Sequence, residues 1–210
     1  MLIKSGKLLN PIFRLMTIKK YNNYQLICGC DEAGRGALAG PVVASAVILT
    51  KQFFHPDLND SKKLSKKKRN ELSDYIKTKS VCWSIGLVNV KAIDEINILN
   101  ASIRAMHIAI NKIVSETNKK PNLLIIDGNR FHPYPNIKHK CIIKGDSKFA
   151  SIAAASILAK TYRDSIMNQL HMQNPKYNWN KNNGYPTKEH RTKIISHGTT
   201  IHHRKSFKLL

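Results

Sequence analysis

The amino-acid sequence predicts an α/β fold: a central mixed five-stranded sheet flanked by helices, with a small helical C-terminal extension. Two observations carry this expectation. Short runs rich in Val, Ile and Leu alternate with segments whose apolar residues return every three or four positions, as on the buried stripe of a helix. The links between the first three runs allow an antiparallel meander, whereas a long helix before the fourth allows a parallel crossover.

The first strand is expected at 26–30, followed by a loop punctuated by Gly34, Gly36 and Gly40. The Val- and Ile-rich segment 41–50 is the second strand. A basic connection, 60–69, leads into a helix at 70–77, and 81–90 is the third strand. Ile96, Leu99, Ile103, Met106, Ile110, Ile113 and Val114 recur at helical spacing within 93–114. The pure Leu/Ile run 123–126 is a buried strand closed by Asp127-Gly128, and 140–143 is the fifth strand. An alanine-rich helix follows over 147–170, then a turn-rich stretch at 175–186 and a helix at 188–196. Residues 1–23 read as a basic leader to the domain; no linker divides the rest into two full domains.

The balance of 35 Lys+Arg against 13 Asp+Glu, a formal charge of +22, favours a polyanionic partner. An AT-rich genome also inflates Lys, so charge supports a nucleic-acid role without establishing one. There is no run of 18 apolar residues and no small-residue cleavage site behind the basic start, so neither a membrane span nor a secretory signal is expected. Cys28, Cys30, Cys82 and Cys141 are scattered, which suits reduced thiols in the cytoplasm. Cys28 and Cys30 share one face of a strand and read as small buried side chains in preference to metal ligands. Nothing demands an oligomer, and a monomer is expected.

In so basic a chain the placement of acids is informative. Asp31 and Glu32 follow the first strand, Asp127 follows the fourth, and Asp146 precedes the long helix. If the strands carrying Asp31 and Asp127 are neighbours, their carboxylates converge. Converging carboxylates repel unless a cation lies among them, and hard oxygen ligands suit Mg²⁺ or Mn²⁺. Two such ions can hold a scissile phosphate, one activating water and the other stabilising the leaving oxygen. The plainer alternative is a turn or a helix cap, clearest for Asp146-Ser147. Asp94-Glu95 reads as structural, placed at a helix start where acids meet the dipole.

The block Asp31-Glu32-Ala33-Gly34-Arg35-Gly36, continued by Leu38-Ala39-Gly40-Pro41-Val42-Val43, resembles the opening signature of the bacterial type 2 ribonuclease H family, ribonuclease HII. So do Asp60-Ser61-Lys62-Lys63-Leu64-Ser65, Ile93-Asp94-Glu95-Ile96-Asn97-Ile98-Leu99 and Asp127-Gly128-Asn129. Lys144-Gly145-Asp146-Ser147, the helix motif from Ser151 to Lys160, Gly184-Tyr185-Pro186 and His203-Arg204-Lys205-Ser206-Phe207 complete an ordered match over about residues 26–207. Ala37 stands where the family commonly has Pro, and Asn183 where Lys is usual.

The resemblance implies a ribonuclease H-like fold, with a catalytic domain at 24–172 and a substrate-binding extension at 173–210 packed on it. It implies an endonuclease that cuts the RNA strand of RNA–DNA hybrids and cuts 5′ of single ribonucleotides in duplex DNA, as in ribonucleotide excision repair. The catalytic carboxylates fall on Asp31, Glu32, Asp127 and Asp146, which would hold two Mn²⁺ or Mg²⁺ ions. Substrate contacts fall on Gly34, Arg35, Gly36 and Tyr185. Asp164 receives a supporting role: on one unbroken helix it would lie about 27 Å from Asp146, too far to share its metals. Lys62, Lys63, Lys66, Lys67, Lys68 and Arg69 either track the phosphate backbone or form a solvated helix face. His190, His197, His202 and His203 are expected at the surface. The rival readings are a non-catalytic basic nucleic-acid-binding protein and a carboxylate nuclease of the same fold that ignores the 2′-hydroxyl.

Overall fold

The computed structural model describes residues 26–58 and 64–210, so the basic leader and Asp60, Ser61, Lys62 and Lys63 lie outside the described residues. Five strands form one sheet: β1 (Ile27–Ala33), β2 (Val42–Leu49), β3 (Ser80–Val88), β4 (Leu123–Asp127) and β5 (Lys138–Ile142). Their order is β3-β2-β1-β4-β5. β1, β2 and β3 pair antiparallel, whereas β4 joins β1, and β5 joins β4, in parallel. The mixed sheet is thus the expected one.

Helices cover both faces. α2 (Val90–Glu116) packs on one face, where Cys28, Cys30, Val42, Ala44, Ala46 and Ile48 meet Ala105, Ala109, Ile110 and Ile113. α1 (Lys66–Lys79) and α3 (Ala150–Gln173) cover the other, with Leu72 and Ile76 against Val47, Ala154, Ile157 and Leu158. This explains why β2 is apolar at every position but Ser45 instead of alternating: both of its faces are dry, and the Ser45 hydroxyl donates to Ser84 O. Cys28 and Cys30 are buried on the α2 face with their sulfurs 4.0 Å apart, packing as small hydrophobes.

The approach of α3 to β1 is set at Gly29. A Cβ there would lie 2.3 Å from the backbone carbon of Ser151, so a side chain would have to push helix from strand. Gly29→Ala is expected to cost about 3 kcal/mol, the upper end of core overpacking. A urea unfolding midpoint unchanged from the wild type would contradict this close approach.

Several boundaries differ from the sequence expectation, each for a local reason. β1 runs to Ala33, so Asp31 and Glu32 lie inside the strand and not after it. Pairing with β2 continues through Ala33↔Val43, which extends the ladder beyond the apolar run. α1 begins at Lys66, because the Ser65 side chain accepts a hydrogen bond from Lys68 N and caps the helix earlier than the apolar pattern shows. α2 is interrupted at Asn97, whose φ of 65° and ψ of 164° are not helical. Its side chain then accepts from Asn100 N and restarts the helix.

The alanine-rich helix starts at Ala150, not at 147, because Lys144 takes a left-handed conformation (φ 55°) and Gly145–Ser147 forms a separate 3₁₀ turn. Asp146 therefore does not cap that helix, whose N-cap is Phe149. The single unbroken helix assumed between Asp146 and Asp164 does not exist.

Beyond α3, a 3₁₀ turn (Pro175–Tyr177), the short α4 (Trp179–Asn182) and α5 (Lys188–His197) fold back on the domain. Tyr177, Trp179 and Ile194 share a small core with Leu38, Ala39 and Met167, so this segment packs against the loop that leaves β1. Among the described residues, no helix is long and apolar enough to cross a membrane.

Candidate active site

The parallel register Cys30↔Ile126 carries forward to bring Asp31, inside β1, alongside Asp127, the last residue of β4. Strand alternation sends Asp31 toward α3, where the Ser156 hydroxyl and the Glu32 N–H (2.7 Å) hydrogen-bond to it. Glu32 points to the other face and, with Asp127, lines a cavity of about 140 Å³ against Ser102 and Met106 of α2. Burial, then the charges of Glu32 and Asp127, hold the Asp31 carboxyl well above the usual carboxylate range. Burial also raises Glu32; the nearby Arg35 guanidinium offsets part of this, and Asp127 adds to it. Arg35 Nη1 sits 3.3 Å from Glu32 Oε1.

Three of the four expected carboxylates thus feel one another's charge. Asp146 lies on the adjoining 3₁₀ turn, whose Gly145 N–H donates to Asp127 Oδ1 at 2.6 Å. Among the described residues, no three His, Cys, Asp or Glu side chains close into a ready cage for a metal ion. The donor chemistry nevertheless fits a hard divalent cation: carboxylate oxygens that repel one another in a half-buried pocket need a positive charge between them. A larger cleft of about 400 Å³, between α1, β3 and α3 and lined by Trp83, Lys77 and Tyr162, contains none of these groups. The chemistry points to the smaller cavity.

The loop after β1 carries Gly34, Arg35 and Gly36, and two buried guanidiniums shape it. Arg163 of α3 donates from Nε to Pro41 O (3.0 Å), from Nη2 to Ala39 O (3.0 Å) and from Nη1 to Asn183 O (2.9 Å). Arg204 donates to Gly40 O from Nε (3.0 Å) and Nη2 (2.9 Å), and from Nη1 to Arg35 O (2.9 Å). Both are fully buried. Burial, then the neighbouring Arg163 charge, pushes Arg204 down to about 9.

The two loop glycines differ in what requires them. Gly34 has φ +96°, and a Cβ there would meet Arg163 Nε at 2.0 Å, so the fold itself demands it. At Gly36 a Cβ would meet nothing within 4 Å. Tyr185, half-buried, completes the group: Arg163 and Lys160 lie 5.4 and 5.9 Å from its ring centre.

Asp164 lies elsewhere. It accepts from Lys160 Nζ at 2.6 Å and pairs with Arg69 Nη2 at 3.6 Å, tying α3 to α1. Lys66, Lys67 and Lys68 are exposed on the first turn of α1. Asp94 is structural, but its partners are not those of a helix start. It accepts from Lys205 N and Ser206 N (3.0 Å each) and so anchors the segment carrying Arg204. Burial opposes ionisation of Asp94, yet the Ser206 and Lys205 hydrogen bonds outweigh it and hold the carboxyl below its usual range.

Sequence reasoning missed Arg163 and Arg204, and it misplaced His190 and His203, which are buried. For Arg163 a signal was available. Ala155, Ala159, Arg163 and Met167 recur every fourth residue along one stripe, and all four are fully buried.

A five-stranded mixed sheet of this order, with carboxylates side by side on its adjacent parallel strands, defines a protein of the ribonuclease H-like fold. Ribonuclease H2 of Pyrococcus horikoshii superposes with a TM-score of 0.70 at 22% identity, over 88% of this chain and 95% of its own. Bst-RNase HIII, solved in complex with Mn²⁺, superposes with a TM-score of 0.65 at 17% identity, over 88% of this chain and 67% of its own. The family model for Ribonuclease HII matches residues 28–210. The Ribonuclease HII of Bacteroides thetaiotaomicron is 56% identical over 191 residues, covering 90% of this chain and 94% of its own. That of Christiangramia forsetii is 56% identical over 190 residues, with the same coverage of both chains. The chain belongs to the ribonuclease HII family and is an endoribonuclease, a hydrolase.

Proposed function

We propose that this protein hydrolyses the RNA strand of RNA–DNA hybrids and cuts on the 5′ side of single ribonucleotides embedded in duplex DNA, leaving 3′-hydroxyl and 5′-phosphate ends. One observation carries the reading: the carboxylate group and an open backbone turn are consecutive in the chain, so a sugar at Gly36 lies next to the phosphate at Asp31, Glu32 and Asp127.

Asp31, Glu32 and Asp127, with Asp146 on the adjoining turn, are the residues to hold two Mg²⁺ or Mn²⁺ ions. When bound, those ions supply activation of the attacking water and neutralisation of the charge on the leaving oxygen. The protein does the rest. Arg35 and Arg130, both lining the cavity, draw in the phosphate. The Gly36 backbone, bare of a side chain, approaches the 2′-hydroxyl, which both donates and accepts. The Tyr185 ring packs on the neighbouring sugar. Residues 173–210 act as a substrate-binding extension, and Asp164 supports it by fixing Lys160 under Tyr185. The partners are RNA–DNA hybrid and ribonucleotide-containing duplex DNA. The protein acts on them as a monomer in the cytoplasm, in ribonucleotide excision repair.

The test is a labelled DNA duplex with one ribonucleotide, incubated in Mg²⁺, in Mn²⁺ and in chelator beside an all-DNA duplex. Metal-dependent cutting immediately 5′ of the ribonucleotide, with the all-DNA duplex intact, is expected. Binding without cutting in either metal would leave a basic nucleic-acid-binding protein. Equal cutting of all-DNA would leave a nuclease indifferent to the 2′-hydroxyl. Gly36→Ala is expected to melt like the wild type and to cut at least about tenfold more slowly, as when one transition-state contact is lost. Full activity in that variant would remove the turn from the reading mechanism.

A further inference from the structure

Tyr185 lies in the loop between α4 and α5, and the residues before it are firmly held. Gly184 O accepts from Leu38 N (2.7 Å), and Asn183 O accepts from Arg163. On its C-terminal side, the Tyr185 carbonyl accepts from Thr187 N (2.8 Å), a local bond that travels with the loop. It also meets His190 Nδ1 at 3.0 Å. His190 therefore links that carbonyl to the core.

The neighbours of His190 fix where its proton sits. Trp179 Nε1 donates to His190 Nε2 at 3.0 Å. His203 Nδ1 accepts from Thr200 N at 2.9 Å, which leaves the His203 proton on Nε2, 3.3 Å from His190 Nε2. Two donors thus converge on His190 Nε2, and its own proton belongs on Nδ1, aimed at the Tyr185 carbonyl. Both imidazoles are buried; burial lowers His190, and burial with the charges of His190 and His202 lowers His203 to about 4. Both are neutral at pH 7, as this chain of bonds requires. A neutral imidazole is the side chain that presents a donor on one side and an acceptor on the other within a rigid ring.

We propose that His190, oriented by His203 and Trp179, is a positioning residue that holds the Tyr185 backbone so that its ring meets the substrate sugar, making the buried imidazole pair a determinant of ribonucleotide discrimination. This rests on the sugar-reading role given to Tyr185 above. The ring stands on Lys160 and Arg163, but its direction follows the peptide at its own Cα. Loss of the His190 bond frees that peptide to rotate while the catalytic carboxylates stay in place.

Two near-isosteric changes separate positioning from bulk packing. The Asn amide occupies the place of imidazole Nδ1, so His190→Asn keeps a donor to Tyr185 O. The Gln amide occupies the place of Nε2, so His190→Gln keeps the acceptor for Trp179 and His203 but leaves Tyr185 O with only its local bond from Thr187 N. The readout is kcat/KM on a duplex with one ribonucleotide divided by kcat/KM on a continuous RNA–DNA hybrid. His190→Gln is expected to lower that ratio about tenfold, the size of one lost hydrogen bond. His190→Asn keeps it within about threefold, although both variants melt earlier than the wild type. In a Tyr185→Ala background, His190→Gln should lower the ratio no further, because the two residues act through one contact. Equal ratios for Asn and Gln, or losses that multiply in the Tyr185→Ala background, would overturn the proposal. An unchanged ratio for Tyr185→Ala alone would also overturn it, by showing that the sugar-reading role itself is wrong.

Discussion

Asp31→Asn is expected to lower strand cutting by on the order of a thousandfold while raising the melting temperature of the protein in chelator. The two effects share one cause. Asp31 is 5% exposed, and burial together with Glu32 and Asp127 opposes its ionisation. Each ionised carboxylate added to this pocket destabilises the metal-free fold. Asn retains an oxygen for the Glu32 N–H that Asp31 Oδ1 accepts at 2.7 Å, so the geometry survives without the charge. Relief of about 1 kcal/mol would raise the melting temperature by roughly 2–4 °C in a chain of this size. Mg²⁺ or Mn²⁺ should raise the melting temperature of the wild type by binding the folded state, and raise that of the variant less. A variant that cuts normally would take Asp31 out of the chemistry; one that melts lower in chelator would show that the pocket does not suffer from its charges.

Arg163→Lys is expected to destabilise the protein by about 3–5 kcal/mol, the range for breaking a buried charged network, with a fall in melting temperature on the order of 10 °C. The change keeps the charge and still fails. Arg163 places three separate donors on Pro41 O, Ala39 O and Asn183 O, atoms contributed by two different segments. An ammonium on a flexible stem cannot reach all three in the plane a guanidinium offers. Buried carbonyls left without donors account for most of the loss. Below the melting transition, cutting should also weaken, because the loop carrying Arg35 and Gly36 loses half of its clamp. A variant melting within about 2 °C of the wild type would show that these bonds are replaceable.

The strands and helices were legible because periodicity reports burial directly, and the Val- and Ile-rich run at 41–50 marked β2 as a strand. Asp31, Glu32 and Asp127 stood out because acids are scarce in so basic a chain. What stayed hidden depends on contacts between residues distant in sequence. No pattern near Asp146 shows that Lys144 turns left-handed and detaches the Gly145–Ser147 turn from the helix. Arg204, His190 and His203 carry polar side chains, which on average belong outside, and only the folded loop supplies the carbonyls and imidazole nitrogens that satisfy them within. Arg163 was the exception, since its helical stripe is otherwise apolar.

The clamp on the loop after β1 also sets a timetable for synthesis. Gly40 leaves the ribosome early, yet the guanidinium that accompanies its carbonyl belongs to Arg204, 164 residues later. At roughly 5–20 residues per second, the intervening chain takes about 8–33 seconds to make. For most of that interval the loop between β1 and β2 lacks both fasteners; once β5 and then Arg163 have been made, the sheet can assemble while the loop still lacks Arg204. The backbone that follows Asp31 and Glu32 thus acquires its last fastener near the end of translation, when Arg204 reaches the Arg35 and Gly40 carbonyls.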